Sequence, residues 1–235
     1  MSLPRRFQGV FFEPKPTFAA LAEKPVWVDA IVLVLVALLG FSLVVAPYMQ
    51  QDNLKLMKDS TTLKDSMGEE AYNKLIAQTE HPSRMSQIGR TFVQTPLFYL
   101  AALLVQSLLL LILGRLSSTQ GVYVQVLAAL IHASFIDKVL GNVVRVALAL
   151  ARKSVLQTST GLALLFPNLE VTSTAYIILA QVDLFQLWMF GVLAFGLAAI
   201  FKITLKKALF LSYGMFLLKA VANALIGVIM MSFLR

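Results

Sequence analysis

Between Thr91 and Gly114 the chain carries no charged residue, and between Trp27 and Met49 it carries only Asp29, close to one edge. A run of roughly 18 or more apolar residues crosses a hydrocarbon layer of about 30 Å as a helix. Three further apolar stretches follow, so five spans are expected at about 26–46, 92–113, 122–150, 176–201 and 208–233. The expected fold class is therefore all-α, a polytopic integral membrane protein. Composition agrees with the runs: 58% of the 235 residues are hydrophobic and 14% charged, against about 25% charged in soluble domains. Mean hydropathy is +0.78.

Residues 1–26 read as an interfacial arm punctuated by Pro14, Pro16 and Pro25, with one or two helical turns over residues 17–22 that Thr17 is placed to cap. Phe7, Phe11, Phe12, Phe18 and Trp27 suit a position along the membrane interface. Arg5 and Arg6 come early enough to suggest a signal peptide, but no apolar segment follows at once. An uncleaved first span is expected, ended by Pro47.

Residues 50–90 hold six Lys/Arg and six Asp/Glu and form the one substantial polar insertion. Within it the stretch 69–79 sets Tyr72, Leu75, Ile76 and Thr79 on one face of an amphipathic helix, closed by His81-Pro82-Ser83. The third apolar stretch makes about 45 Å of helix, more than one untilted crossing needs, so it either projects from the bilayer or bends at Gly141-Asn142. Residues 152–175 form an extracytoplasmic or interfacial segment in which the apolar piece 161–166 is too short to span. No repeat or linker appears, so 27–235 reads as a single domain. Arg115 and the short turn with Lys202, Lys206 and Lys207 are the clearest positive-inside signals. They place the N-terminus in the cytoplasm and the 50–90 insertion outside.

The net charge of +8 is spread over loops without interleaved stacking aromatics, which favours anionic lipid headgroups over nucleic acid. Cysteine is absent, which excludes disulfides, thiolate metal sites and a cysteine nucleophile.

Several features together resemble the Yip1 domain family in its bacterial form. The arm resembles the family's leading pattern through Phe12-Glu13-Pro14-Lys15-Pro16-Thr17-Phe18 and Ala22-Glu23-Lys24-Pro25-Val26-Trp27. Near the C-terminus Asp183-Leu184-Phe185-Gln186-Leu187-Trp188 is similar to the Asp-Phe-x-x-Trp start of the penultimate span, followed by Gly196-Leu197 and Lys207-Ala208. The third span departs from the pattern: it lacks a proline near its middle and has His132 and Asp137-Lys138 there. The resemblance implies a polytopic scaffold without catalysis. Eukaryotic relatives act in vesicle traffic with small GTPases, and some bacterial members accompany ABC-type exporters. The leading expectation is an accessory or organising subunit acting on membrane lipids and other membrane proteins in a bacterial inner membrane. The alternatives are a small oligomeric transporter or channel and, third, a lipid-handling protein.

Ionisable residues inside spans cost several kcal/mol unless paired or facing a polar cavity. The intramembrane polar cluster comprises His132, Asp137, Lys138 and Arg145 of span three, Asp183 of span four, and Lys219 of span five with Asn223 one turn beyond. At about 1.5 Å of rise per residue, Asp137 is level with Lys219 and Asp183 with Lys138, while Arg145 reaches the outer interface and snorkels. One reading is structural ion pairs fastening spans three to five. A second is a proton or solute path with His132 as relay and Asp137 or Asp183 titrating, and a third is that those near the outer interface simply reach water. Two small-residue stripes, Gly191, Ala194 and Ala198 in span four and Ala220, Ala224 and Gly227 in span five, let helices approach closely, within the chain or in a homo-oligomer. No metal-ligand spacing, nucleophile elbow or phosphate-cradling loop is present, so no catalytic residue, cofactor or metal is expected and the chain reads as a non-enzyme. Five unrepeated spans also lack the paired halves of secondary transporters.

Overall fold

The computed structural model describes residues 1–156 and 160–233; residues 157–159 of the predicted 152–175 segment, and 234–235 beyond the last helix, lie outside the described residues. The described residues are predominantly helical, without a strand. Five helices meet the length and composition needed to cross a membrane: Val28–Asp59, Arg84–Arg115, Tyr123–Arg152, Leu184–Phe201 and Leu205–Ser232. The fold is that of a polytopic α-helical membrane protein. Its contacts gather into two compact units, one of residues 1–39, 96–142 and 184–219, the other of residues 40–95, 143–183 and 220–235. Four of the five divisions fall inside helices, Val28–Asp59, Arg84–Arg115, Tyr123–Arg152 and Leu205–Ser232, where no linker composition announces them.

In the first unit, α1 (Leu3–Phe12) and α2 (Pro14–Glu23) pack on α8 (Tyr123–Ser134), and α2 also packs on α11 (Leu184–Phe201). Every residue of α8 from Val126 to Ser134 is buried, as expected of a helix apolar on all sides. Phe18, Leu21, Leu130, Ile131, Phe190, Leu193 and Leu197 form the core. Within the arm Val10, Phe18 and Leu21 are core residues, and Thr17, expected to cap the short helix, is buried beneath Gly9 while Glu13 occupies the cap position of α2. Arg6, Val10, Thr17, Phe18 and Leu21 lie on the faces of α1 and α2 turned toward α8 and α11.

Gly196 of α11 permits this approach, because a β-carbon there would lie 2.8 Å from Phe18 and 3.0 Å from Ala129. The α11 helix ends with Lys202 at φ 52° and the Ile203 amide on Ala198 O at 3.2 Å, a Schellman closure. The turn then leads into α12 (Leu205–Ser232).

In the second unit, α3 (Val28–Asp59) runs through Pro47 rather than stopping there. Proline inside a helix costs roughly 3 kcal/mol, and the polar continuation supplies contacts that offset it. The Gln50 amide donates to Thr79 O at 2.9 Å and Glu80 O at 3.0 Å, and Lys58 pairs with Glu80. Asp52 accepts from Ser154 Oγ, Val155 N and Leu156 N at 3.0, 2.6 and 3.1 Å. The insertion continues as α4 (Thr61–Met67), α5 (Glu69–Glu80) and α6 (Arg84–Ile88). In α5, Tyr72, Leu75, Ile76 and Thr79 are the partly covered face, as the periodicity predicts.

A π-helical stretch, Gly89–Gln94, joins α6 to α7 (Thr95–Arg115). The third span passes through a second one, Phe135–Gly141, before α9 (Asn142–Arg152). The predicted fourth span of 176–201 is shortened: α10 (Thr174–Ala180) stops, and α11 begins only at Leu184. Asp183 is tied into the preceding loop, where Gly161 and Asp183 form an isolated bridge and the Leu162 amide donates to Val182 O at 3.0 Å.

Candidate functional site: the intramembrane polar clusters

Three polar clusters lie at span level. The first joins α1, the start of α3 and α8. Arg6 is 2% exposed. One guanidinium nitrogen lies 3.0 Å from His132 Nε2 and 3.3 Å from Val26 O, and the other pairs with Asp29. His132 Nδ1 lies 2.7 Å from Ala128 O. A carbonyl and a guanidinium can be satisfied together only if Nδ1 carries the proton and donates while Nε2 accepts. His132 therefore holds Arg6 as an acceptor. Asp29 also accepts from the Ala30 amide at 2.9 Å.

The second cluster, in the same unit, lines a cavity of about 150 Å³ with Tyr99, Gln106, Ser134, Asp137, Lys138 and Lys219. Asp137 is 1% exposed and lies 2.9 Å from Lys138 Nζ. Tyr99 donates to Ser134 Oγ at 3.3 Å, and the Lys138 ammonium sits 5.9 Å from the Tyr99 ring centre. Lys219 donates to Gln186 Oε1 at 2.8 Å. Asp137 and Lys219, level by helix arithmetic, thus border one cavity.

The third cluster belongs to the second unit. Arg145 Nη2 lies 3.0 Å from both carboxylate oxygens of Asp183, and its Nε donates to Thr160 Oγ1 at 3.2 Å. Thr160 donates in turn to Asp183. Arg145 was expected to snorkel and Asp183 to meet Lys138; instead Arg145 and Asp183 hold each other, while Lys138 stands beside Asp137. Asp183 lies outside α11, in the turn before Leu184, so a level counted along a straight fourth span does not hold for it, and the long Arg145 side chain reaches it.

Asn223 is exposed on α12. Of the small-residue stripes, Ala194 is fully buried and Ala198 half-buried, and Gly191 admits Tyr213, whose hydroxyl would lie 2.8 Å from an added β-carbon. Ala220 and Ala224 are half-buried, and Gly227 admits Ile177 at 2.9 Å. Both stripes are therefore met, at one glycine each, by contacts inside the chain.

Of the motif residues, Pro14 and Pro16 sit in the first turn of α2 and Pro25 and Trp27 lead into α3. Phe18 meets Gly196, and Trp188 packs edge-on against Phe11 with ring centres 5.8 Å apart. Asp183 precedes α11, and Lys207 lies exposed in the first turn of α12. Sequence reasoning missed Arg6 and Asp29 as partners of His132. The available signal was Asp29, a lone charge at the mouth of an apolar run. Among the described residues no three His, Cys, Asp or Glu side chains come together in a metal-binding arrangement.

The class defined by this architecture is a five-helix membrane protein with ion pairs inside its spans. Compared with family models, curated proteins and solved structures, the chain shows no match.

Proposed function

We propose that this protein is a non-enzymatic membrane scaffold of the Yip1 type, an accessory subunit that organises partner membrane proteins. An exporter complex of the ABC class is the partner that the family resemblance suggests. The reading rests on how the spans divide their chemistry. Arg6 pairs with Asp29 and His132, and Arg145, Thr160 and Asp183 likewise hold one another. The most apolar windows of the first, second and fifth spans are only 22%, 22% and 11% buried within the chain, against 72% for the third. Uncovered apolar helix sides are the surface that lipid tails and partner spans occupy. The joining of Phe18 to Gly196 and Trp188 to Phe11 supports the family reading, because it brings both motif-bearing ends together.

The protein resides in a bacterial cytoplasmic membrane with its N-terminus inside. Arg115, Lys202, Lys206 and Lys207 then lie on the cytoplasmic side, in the short loops that report orientation. Affinity purification in mild detergent tests the scaffold role: stoichiometric co-purification of one or more membrane proteins is expected. A chain that always elutes alone, from every mild detergent tried, would overturn it.

The cavity bordered by Asp137, Lys138 and Lys219 favours a second reading, an oligomeric transporter or channel. Proteoliposome flux abolished by Asp137→Asn would support that reading, and an absence of flux in the parent protein would remove it.

A further inference from the structure

The Phe201 ring sits against Gly114 and Gly121, so the end of α7, the start of α8 and the end of α11 share one level. At about 1.5 Å of rise per residue, the contacts of α1 and α2 can be placed above it. The Ala22 carbonyl accepts from Gln125 at 2.6 Å, about 3 Å along α8. Phe18 and Ala129 both abut Gly196, about 8–9 Å along. Arg6 meets His132 at about 14 Å, and Phe11 meets Trp188 at about 20 Å. The two helices therefore form a hairpin that rises beside α8 and α11 and turns back at Glu13.

This rise lies within the hydrocarbon. The 18 residues of α11 make about 27 Å of helix, so a crossing of roughly 30 Å leaves none of it to project. Ile112 of α7 and Phe210 of α12 are exposed apolar side chains only about 5 and 8 Å from the same ends. Yet the side of the hairpin turned away from α8 and α11 is polar. Arg5, Gln8, Glu13 and Lys15 are exposed there, and a cavity of about 250 Å³ between α1 and α2 is lined by Arg5, Gln8, Glu13 and Thr17. Asp29, the partner of Arg6 near the His132 level, has 46% of its side chain exposed. Charged groups at such depths face a bundle interior or water. Arginine and lysine can snorkel, but Gln8, between Arg6 and Phe11, and Glu13, about 16 Å along by its distance from Phe18, are too short.

We propose that the α1–α2 hairpin is re-entrant and that its polar side lines a water-filled vestibule. The vestibule opens at the membrane surface that carries the 116–122 loop and reaches at least to Glu13. It goes beyond both functional readings above and depends on neither, requiring only that the spans cross.

The cysteine-free chain allows single thiols to be probed in membrane vesicles with a membrane-impermeant maleimide, applied to whichever side labels Thr119→Cys. Gln8→Cys and Lys15→Cys should react within about tenfold of the Thr119→Cys rate, because a hydrated thiol ionises to the reactive thiolate. Leu104 of α7 and Leu217 of α12 are 47% and 61% exposed and lie about 17 and 18 Å along their helices. They face lipid, so Leu104→Cys and Leu217→Cys should stay unlabelled. Glu13→Cys replaces either hairpin variant whose unfolding midpoint departs from the parent's. The vestibule is overturned if either hairpin thiol is as unreactive as Leu217→Cys, which lipid or a second copy of the chain against the hairpin would cause. Reaction only from the opposite side overturns it, as does labelling of Leu217→Cys at the hairpin rate, since hydrocarbon would then be absent at that level.

Discussion

Arg5 and Arg6 are neighbours of the same type in a basic arm, yet Arg5 is exposed and Arg6 is buried against Asp29 and His132. The consequence is measurable. Arg6→Leu leaves the His132 Nε2 acceptor unmatched and costs the Asp29 pair, which is half exposed and so only partly stabilising. The expected loss is about 2 kcal/mol in thermal unfolding in mild detergent. Arg5→Leu should stay within about 0.5 kcal/mol of the parent, and equal effects at the two positions would contradict the buried cluster. Asp183→Ala strips Arg145 of its carboxylate in a largely buried setting and is expected to cost about 3 kcal/mol. Limited proteolysis within 152–175 should accelerate, while Asp183→Asn, which keeps the shape and one acceptor oxygen, should lose less. His132, Asp137, Asp183 and Lys219 were legible in the sequence because a charge or imidazole within an apolar run stands out. Arg6 was not, since nothing local distinguishes an arginine that will meet a residue 126 positions away from one that faces headgroups.

Helices announce themselves by what hydrocarbon demands of length and apolarity, so all five were visible without structure; their ends were not. Pro47 argues for a stop, but the tertiary contacts of Gln50, Asp52 and Lys58 decide otherwise. The gap at 181–183 interrupts what otherwise reads as one apolar stretch, and there Asp183 is drawn to Arg145 and Thr160. The π turn at Phe135–Gly141 leaves no compositional mark, and the break before Leu184 is why the pairing of Arg145 with Asp183 escaped helix arithmetic. The docking of α2 onto α11 is testable at Gly196. Its alanine variant must displace a fully buried Phe18 ring, an overpacking expected to cost about 1–3 kcal/mol by the same unfolding assay. Gly40→Ala, with open space around it, should cost nothing and tends to stabilise through helix propensity. In the extramembrane insertion, the hydrogen bond from Lys58 holds the Glu80 carboxyl below the ordinary glutamate range, helped by the lysine's charge. A depressed carboxylate adds its stabilisation above the ordinary range and loses it as pH falls through the folded value. Carbon-detected NMR titration should find Glu80 among the lowest glutamate midpoints, and Lys58→Gln should return it to the range of the others.

At the scale of the whole chain, the number of crossings ties every loop to one side of the membrane. If α3 and the helix Arg84–Arg115 both cross, the insertion at 60–83 and the loop at 116–122 lie on opposite sides, and positive-inside places the second within the cell. The cysteine-free sequence makes this simple to check with single introduced thiols. Ser66 in α4 and Thr119 in the second loop are both exposed, so neither substitution disturbs packing. A membrane-impermeant maleimide applied to intact cells should label Ser66→Cys and spare Thr119→Cys, which should react only after permeabilisation. The reverse pattern would invert the orientation while keeping the spans. Labelling of both thiols from the same side would mean that one intervening helix does not cross. The scaffold reading would then lose its physical basis, since the uncovered apolar sides of the first and second spans would face water and not lipid.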